Sequence, residues 1–106
     1  MGNARRRITI LGSTGSIGTS ALDVVRHYPE RLEVVGLAAH SNVDLLAEQV
    51  REFRPRFVAV ANRDAARRLA DRLPGVAVSG GPEALEAIAA VPADVVLCGI
   101  VGAVGL

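Results

Sequence analysis

Residues Ile8 to Gly18, ITILGSTGSIG, decide how the rest of the chain is read. Ile8-Thr9-Ile10-Leu11 is a short β-rich apolar run that stops at Gly12, and Gly12, Gly15 and Gly18 then fall at intervals of three. Helical spacing follows, with Ile17, Ala21, Val24 and Val25 assigned to one face. Strand, glycine turn and helix in that order are the context in which a glycine triplet counts as a dinucleotide fingerprint. Glycine admits the positive φ of a tight turn and lets a pyrophosphate approach without meeting a Cβ. A helix beginning near Ser16 aims free N–H groups and the positive end of its dipole at such an anion. Ser13, Thr14 and Ser16 are expected to add hydroxyl donors at the same rim. The spacing is GxxGxxG rather than GxGxxG, so a plain β-to-α turn without a ligand is the competing reading.

The bulk numbers bound the answer. A chain of 106 residues suits one domain with a single core, burying roughly two-thirds of its unfolded surface. Half the residues are apolar, yet there are only two Phe, one Tyr and no Trp, so the core must be Val, Leu, Ile and Ala. The net charge of +1 argues against nucleic acid or an anionic membrane as the main partner. One cysteine excludes an internal disulfide and fits a reducing compartment. No apolar run reaches membrane length, and no signal-peptide pattern follows Arg5-Arg6-Arg7. The expectation is a soluble, cytoplasmic domain.

Taken in order, the chain alternates. The first helix is expected over Ser16–Tyr28, closed by Pro29. Leu32–Ala39 reads as a buried parallel strand. Ser41 or Asn42 caps a second helix with the stripe Val43, Leu46, Val50 and Phe53, ended by Pro55. Phe57–Val60 is a third strand. Asn62 caps a third helix with Ala66, Leu69 and Leu73 inward and Arg63, Arg67, Arg68 and Arg72 outward. Val76–Val78 is a minor strand. A fourth helix opens at Pro82 with Leu85, Ile88 and Ala89 inside, and Asp94–Cys98 is the last strand. Strictly alternating strands and helices mean an α/β, Rossmann-like doubly wound parallel sheet with helices on both faces.

The tip of the second strand addresses which nucleotide is bound. About 20 residues past the glycines, an NAD site places Asp or Glu on the ribose 2′-hydroxyl. Here the tip reads Ala38-Ala39-His40-Ser41-Asn42, with no acid before Asp44. A carboxylate there would repel a 2′-phosphate, and its absence admits one. Ser41 and Asn42 offer hydrogen bonds and His40 offers charge when protonated, which predicts NADP(H) over NAD(H). The same Ser41-Asn42 pair also reads as a plain helix cap, a compatible role. The last segment, Gly99-Ile100-Val101-Gly102-Ala103-Val104-Gly105-Leu106, leaves the carboxyl end of a strand, where open α/β sheets bind ligands. Its apolar residues have nothing after them to pack on, so the chain reads as the N-terminal part of something longer.

Three separated motifs converge on one family. GSTGSIG at Gly12–Gly18, AAHSN at Ala38–Asn42 and GIVGAVGL at Gly99–Leu106 resemble the N-terminal domain of the 1-deoxy-D-xylulose 5-phosphate reductoisomerases, as do LDVVRHYPE at Leu22–Glu30 and GGPEAL at Gly80–Leu85. The resemblance implies an enzyme that rearranges 1-deoxy-D-xylulose 5-phosphate, a phosphosugar, and reduces the product with NADPH to 2-C-methyl-D-erythritol 4-phosphate in non-mevalonate isoprenoid synthesis. It also implies a divalent metal, Mg or Mn, and a homodimer. On the family's pattern, Thr14, Gly15, Ser16 and Ile17 line the pyrophosphate and ribose side of NADPH. His40, Ser41 and Asn42 meet the 2′-phosphate, and Gly99, Ile100 and Val101 resemble the nicotinamide-side wall. With the turn's Gly12, Ser13 and Gly18 and the strand-tip Ala39, these make the candidate cofactor site. Many members carry glycine and then a basic residue where this chain has His40-Ser41.

The family's metal-binding and catalytic residues fall beyond Leu106, so no residue here is a candidate for either role. Asp23, Asp44, Glu48, Asp64, Asp71, Glu83, Glu86 and Asp94 are scattered over helix faces and ends without metal-ligand spacing. His27 reads as a helix-end residue favoured by the dipole, and Cys98 as a small core residue. The expected unit is therefore an NADP(H)-binding domain over 1–106 that binds cofactor without catalysing a reaction alone. The alternatives are a stand-alone dinucleotide module and another NADP-linked dehydrogenase with a GxTGxxG turn.

Overall fold

Every strand of the sheet is parallel to its neighbours, so each pairing needs a crossover, and the four helices supply them. The computed structural model describes residues 5–99. In chain order the elements are β1 (Arg6–Leu11), α1 (Ser16–His27), β2 (Leu32–Ala39), α2 (Val43–Phe53), β3 (Phe57–Val60), α3 (Arg63–Arg72), β4 (Val78–Gly80), α4 (Pro82–Ala89) and β5 (Val95–Cys98). The sheet order is β4-β3-β2-β1-β5. Three successive steps in one direction carry α1, α2 and α3 onto one face, and the return from β4 to β5 carries α4 onto the other, as right-handed crossovers require.

The main core lies under the three helices. Ile10, Leu37, Val58 and Val60 of the strands meet Leu22 and Val25 of α1, Leu46 and Val50 of α2, and Leu69 of α3. Ile10, Leu22, Leu37, Leu46 and Leu69 are entirely or almost entirely buried, and each such side chain stabilises the fold by about 1.5–3 kcal/mol. The opposite face holds a smaller cluster in which Ala84 and Ile88 of α4 cover Ala38 and Ala59. Helices thus lie on both faces, but unequally. Phe57, Val95 and Val96 remain exposed.

Several boundaries and faces differ from the expectation. β1 starts two residues earlier, because Arg6 and Arg7 pair in register with Leu32 and Glu33. The inward face of α1 is Gly18, Leu22 and Val25, whereas Ile17 and Val24 are half exposed. The apolar stripe is rotated because Gly18 brings the helix so close to the turn below it. α1 stops at His27, with Tyr28 as its cap. The minor strand is Val78–Gly80 rather than Val76–Val78, since Val78, Ser79 and Gly80 align with Val58, Ala59 and Val60. Asp94 lies outside β5, where its carboxylate accepts the Arg7 N–H (2.7 Å) and its own N–H donates to the Arg7 carbonyl (2.8 Å). Cys98 is exposed rather than in the core, because β5 is an edge strand of the described sheet.

Candidate functional site

The order of the sheet creates one crevice at the carboxyl ends of its strands. The chain moves from β1 to β2 on one side and returns to β5 on the other, so the loops after β1 and β5 leave in different directions, which is where open α/β sheets bind ligands. The glycine turn follows β1, and Gly99 follows β5. A Cβ on Gly99 would stand 3.4 Å from Ile17 Cβ and 3.6 Å from the Gly12 carbonyl, so the two loops are in contact. Ile100 and Val101 lie outside the described residues.

Within the turn the residues divide into those that build it and those left on its surface. Gly12 has φ of 87°, a conformation that glycine adopts without strain. Gly12 and Ser13 donate their N–H groups to the Ala38 carbonyl (2.7 and 2.9 Å), tying the turn to the tip of β2. Gly15 closes the turn on the Gly12 carbonyl at 3.1 Å. A Cβ on Gly18 would lie 2.2 Å from that carbonyl oxygen and 2.5 Å from Ser13 Cα. Gly18 is buried and allows α1 to pack on the turn; its side of the helix offers no surface to a ligand.

Ser13 and Ala39 need the same correction. Ser13, expected to present its hydroxyl at the rim, is completely buried, and that hydroxyl has no partner among the described residues. Ala39 is also completely buried, and its carbonyl accepts the Ala61 N–H at 3.0 Å. Both support the site from beneath. Thr14 is half-buried, and Gly15, Ser16 and Ile17 are exposed.

Gln49 of α2 was not singled out by the sequence. It is buried, and its Nε2 donates to the Ser13 carbonyl at 2.9 Å. The described residues contain no cis peptide bond, and in a trans peptide the C=O and the following N–H point in opposite directions. With the Ser13 carbonyl drawn inward to Gln49, the Thr14 N–H is turned outward, where it has no backbone acceptor. The signal that could have found Gln49 is its position three residues after Leu46, beside the apolar stripe of α2.

Charge favours an anion at this end. α1 has no side-chain cap at Gly15 and no acid in its first turn, while Arg26 and His27 occupy its last turn. Its first N–H groups are therefore free to meet a ligand. At the tip of β2, His40, Ser41 and Asn42 are exposed. Asn42 accepts the Leu45 N–H at 3.2 Å and caps α2. A groove of about 680 Å³ between α1 and α2 is lined by Asp23, Glu48 and Glu52 among others and is unsuited to an anion. There Arg26 donates to both Glu52 oxygens (2.5 and 2.9 Å). These hydrogen bonds hold the Glu52 carboxyl below its ordinary range and the Arg26 guanidinium above its own. Among the described residues no three His, Cys, Asp or Glu side chains converge, so the described residues do not fit a divalent metal. No described helix is long and apolar enough to cross a membrane.

The sheet, its switch point and the glycine turn define a Rossmann-like α/β domain of the kind that binds dinucleotides. The sequence pattern of the 1-deoxy-D-xylulose 5-phosphate reductoisomerase family matches residues 8–106, and the chain belongs to that family. It is 53% identical over 105 residues to the reductoisomerase of Methylococcus capsulatus, covering 93% of this chain and 27% of that protein. It is 52% identical over 104 residues to that of a Synechococcus strain, covering 93% of this chain and 26% of the relative. The solved reductoisomerase of Zymomonas mobilis in complex with NADPH superposes with a TM-score of 0.83 at 33% identity, over 88% of this chain and 25% of that one. A reductoisomerase in complex with NADPH, fosmidomycin and magnesium gives 0.80 at 31% identity, over 86% and 23%. The chain thus spans about a quarter of the length of the curated relatives it matches.

Proposed function

We propose that this chain is the NADPH-binding domain of a 1-deoxy-D-xylulose 5-phosphate reductoisomerase. Such an enzyme isomerises and reduces 1-deoxy-D-xylulose 5-phosphate to 2-C-methyl-D-erythritol 4-phosphate. The observation that carries the reading is the glycine turn at the switch point, with an uncapped α1 and an outward Thr14 N–H. Thr14, Gly15, Ser16 and Ile17 hold the pyrophosphate, and Gly12 gives the turn its shape. His40, Ser41 and Asn42 receive the adenosine 2′-phosphate. Gly99 contributes to the wall on the nicotinamide side. Bound NADPH supplies a hydride. The described residues position that donor and bring neither a metal nor an acid–base pair to it, so reduction requires substrate-holding groups outside them. In the whole enzyme those are the phosphosugar and divalent-metal sites, and the whole enzyme is a cytoplasmic homodimer.

A thermal melt with NADPH and with NADH tests the reading. A ligand that binds only the folded state raises stability by about 2.7 kcal/mol at a hundredfold excess over its dissociation constant. A clear rise with NADPH and a smaller one with NADH is the expected result. Equal rises would sink the NADP preference, and no rise in a cooperatively folded chain would sink cofactor binding.

A further inference from the structure

Beside the tip of β2 lies a pocket of about 340 Å³ lined by Ser41, Asn42, Val43, Asp44, Arg68 and Arg72. Two of its walls are the exposed Ser41-Asn42 pair and the first turn of α2. Leu45 N–H is taken by the Asn42 side chain and Leu46 N–H by the Asn42 carbonyl, which leaves the N–H groups of Val43 and Asp44 as the unsatisfied donors of that helix end. The third wall is the outward face of α3, one residue short of two turns into the helix at Arg68 and one turn further on at Arg72.

The charges in this pocket are not equivalent. Arg72 is hydrogen-bonded to the Asp44 carboxylate, so these two largely cancel. Arg68 is exposed and makes no ion pair with any described residue. Arg68 therefore brings the uncompensated charge to a pocket that it shares with a hydroxyl, an amide and a helix N-terminus. A hydroxyl, backbone N–H groups and a guanidinium converging from two elements suit a phosphate monoester, which has oxygens enough for all of them. The pocket adjoins the strand tip that a dinucleotide's adenosine ribose reaches from the glycine turn.

We propose that Arg68 is a specificity-determining residue that holds the 2′-phosphate of NADPH across this pocket from Ser41 and Asn42. The inference rests on the dinucleotide reading above and adds to it the guanidinium that the five residues of the strand tip do not supply. Arg72 has the supporting task of neutralising Asp44, which would otherwise repel the phosphate.

The test is a titration of the chain and its Arg68→Ala, Arg68→Gln and Arg68→Lys variants with NADPH, NADH, adenosine 2′,5′-bisphosphate and inorganic phosphate. Far-UV circular dichroism serves as the folding control. The parent chain should prefer NADPH to NADH. Arg68→Ala and Arg68→Gln should weaken NADPH and the bisphosphate by about tenfold, the scale of one charge-assisted contact, while NADH is unchanged. Arg68→Lys should keep part of the preference. Weakening of inorganic phosphate alone, with NADPH unaffected, would overturn the proposal, since the pocket would then take free phosphate. An unchanged NADPH-to-NADH ratio in both neutral variants would overturn it while leaving dinucleotide binding in place. A parent chain that binds NADPH and NADH equally would overturn it too, and one that binds neither would remove the dinucleotide reading first.

Discussion

A single methyl group at Gly18 would meet backbone on two sides, and backbone cannot rotate out of the way. Gly18→Ala forces α1 off the turn, and overpacking of this kind costs about 1–3 kcal/mol. The expected result is a melting temperature lowered by several degrees, together with weaker NADPH binding. An unchanged melting temperature would show that the turn yields freely. Gln49 gives a different outcome. Gln49→Leu keeps the volume but releases the Ser13 carbonyl, whose hydrogen bond is buried. Dinucleotide affinity should fall several-fold as the Thr14 N–H loses its direction, and inorganic pyrophosphate should weaken in parallel. If affinity holds while only stability drops, Gln49 is packing and nothing more. The glycines were legible because spacing and context are written in consecutive residues. Gln49 and the burial of Ser13 were not, because both depend on how α2 lies across the turn, a relation between positions 36 apart.

Among the elements, α2 does the most to join the parts of the site. Its first turn borders the β2 tip, Gln49 reaches the glycine turn, and Glu52 grips Arg26 of α1. Arg26 also lies over the Phe53 ring, 5.4 Å from its centre. The folded Glu52 carboxyl titrates below its ordinary value because of the Arg26 hydrogen bonds. Its stabilisation is therefore complete above the unfolded carboxylate value of about 4.3 and fades as pH falls through the lower folded value. Glu52→Gln should melt below the parent at neutral pH by a small margin, as expected for an exposed pair, and the gap should close in acid. A gap that stays constant as the pH falls from neutrality through and below the unfolded carboxylate value would contradict this. Asn62 was legible as a cap and accepts the Ala65 N–H at 2.9 Å. The face of α1 is not legible from periodicity, because Ile17 and Val24 are apolar yet stand outside the contact that Gly18 creates. Periodicity marks apolar residues, but tertiary packing selects which of them turn inward.

Across the whole molecule, one cluster links α1, α2 and α3 to the strands beneath them. A core continuous over that many elements predicts a single cooperative transition. Tyr28 is the only tyrosine and there is no tryptophan, so its fluorescence reports on the end of α1 alone. Urea unfolding followed by Tyr28 fluorescence and by far-UV circular dichroism should give coincident midpoints, and separated midpoints would mean that α1 detaches on its own. The parallel class was legible from the alternation of strands and helices; the order β4-β3-β2-β1-β5 was not, because alternation does not say which strands become neighbours. The lone helix on the second face follows from crossover handedness, once β5 is seen to return past β1.

That return also sets the order in which the molecule can be completed as it is made. Synthesis delivers the N-terminal elements first, so β1 and its glycine turn leave the ribosome long before β5. Until Val95–Cys98 emerge and pair with Ile8–Leu11, β1 remains an unpaired edge and the Gly99 N–H cannot reach the Leu11 carbonyl, 2.8 Å away in the finished fold. The crevice is assembled from the earliest and latest of the described strands. A nascent chain can thus carry the complete glycine motif and still lack the opposing wall of its crevice.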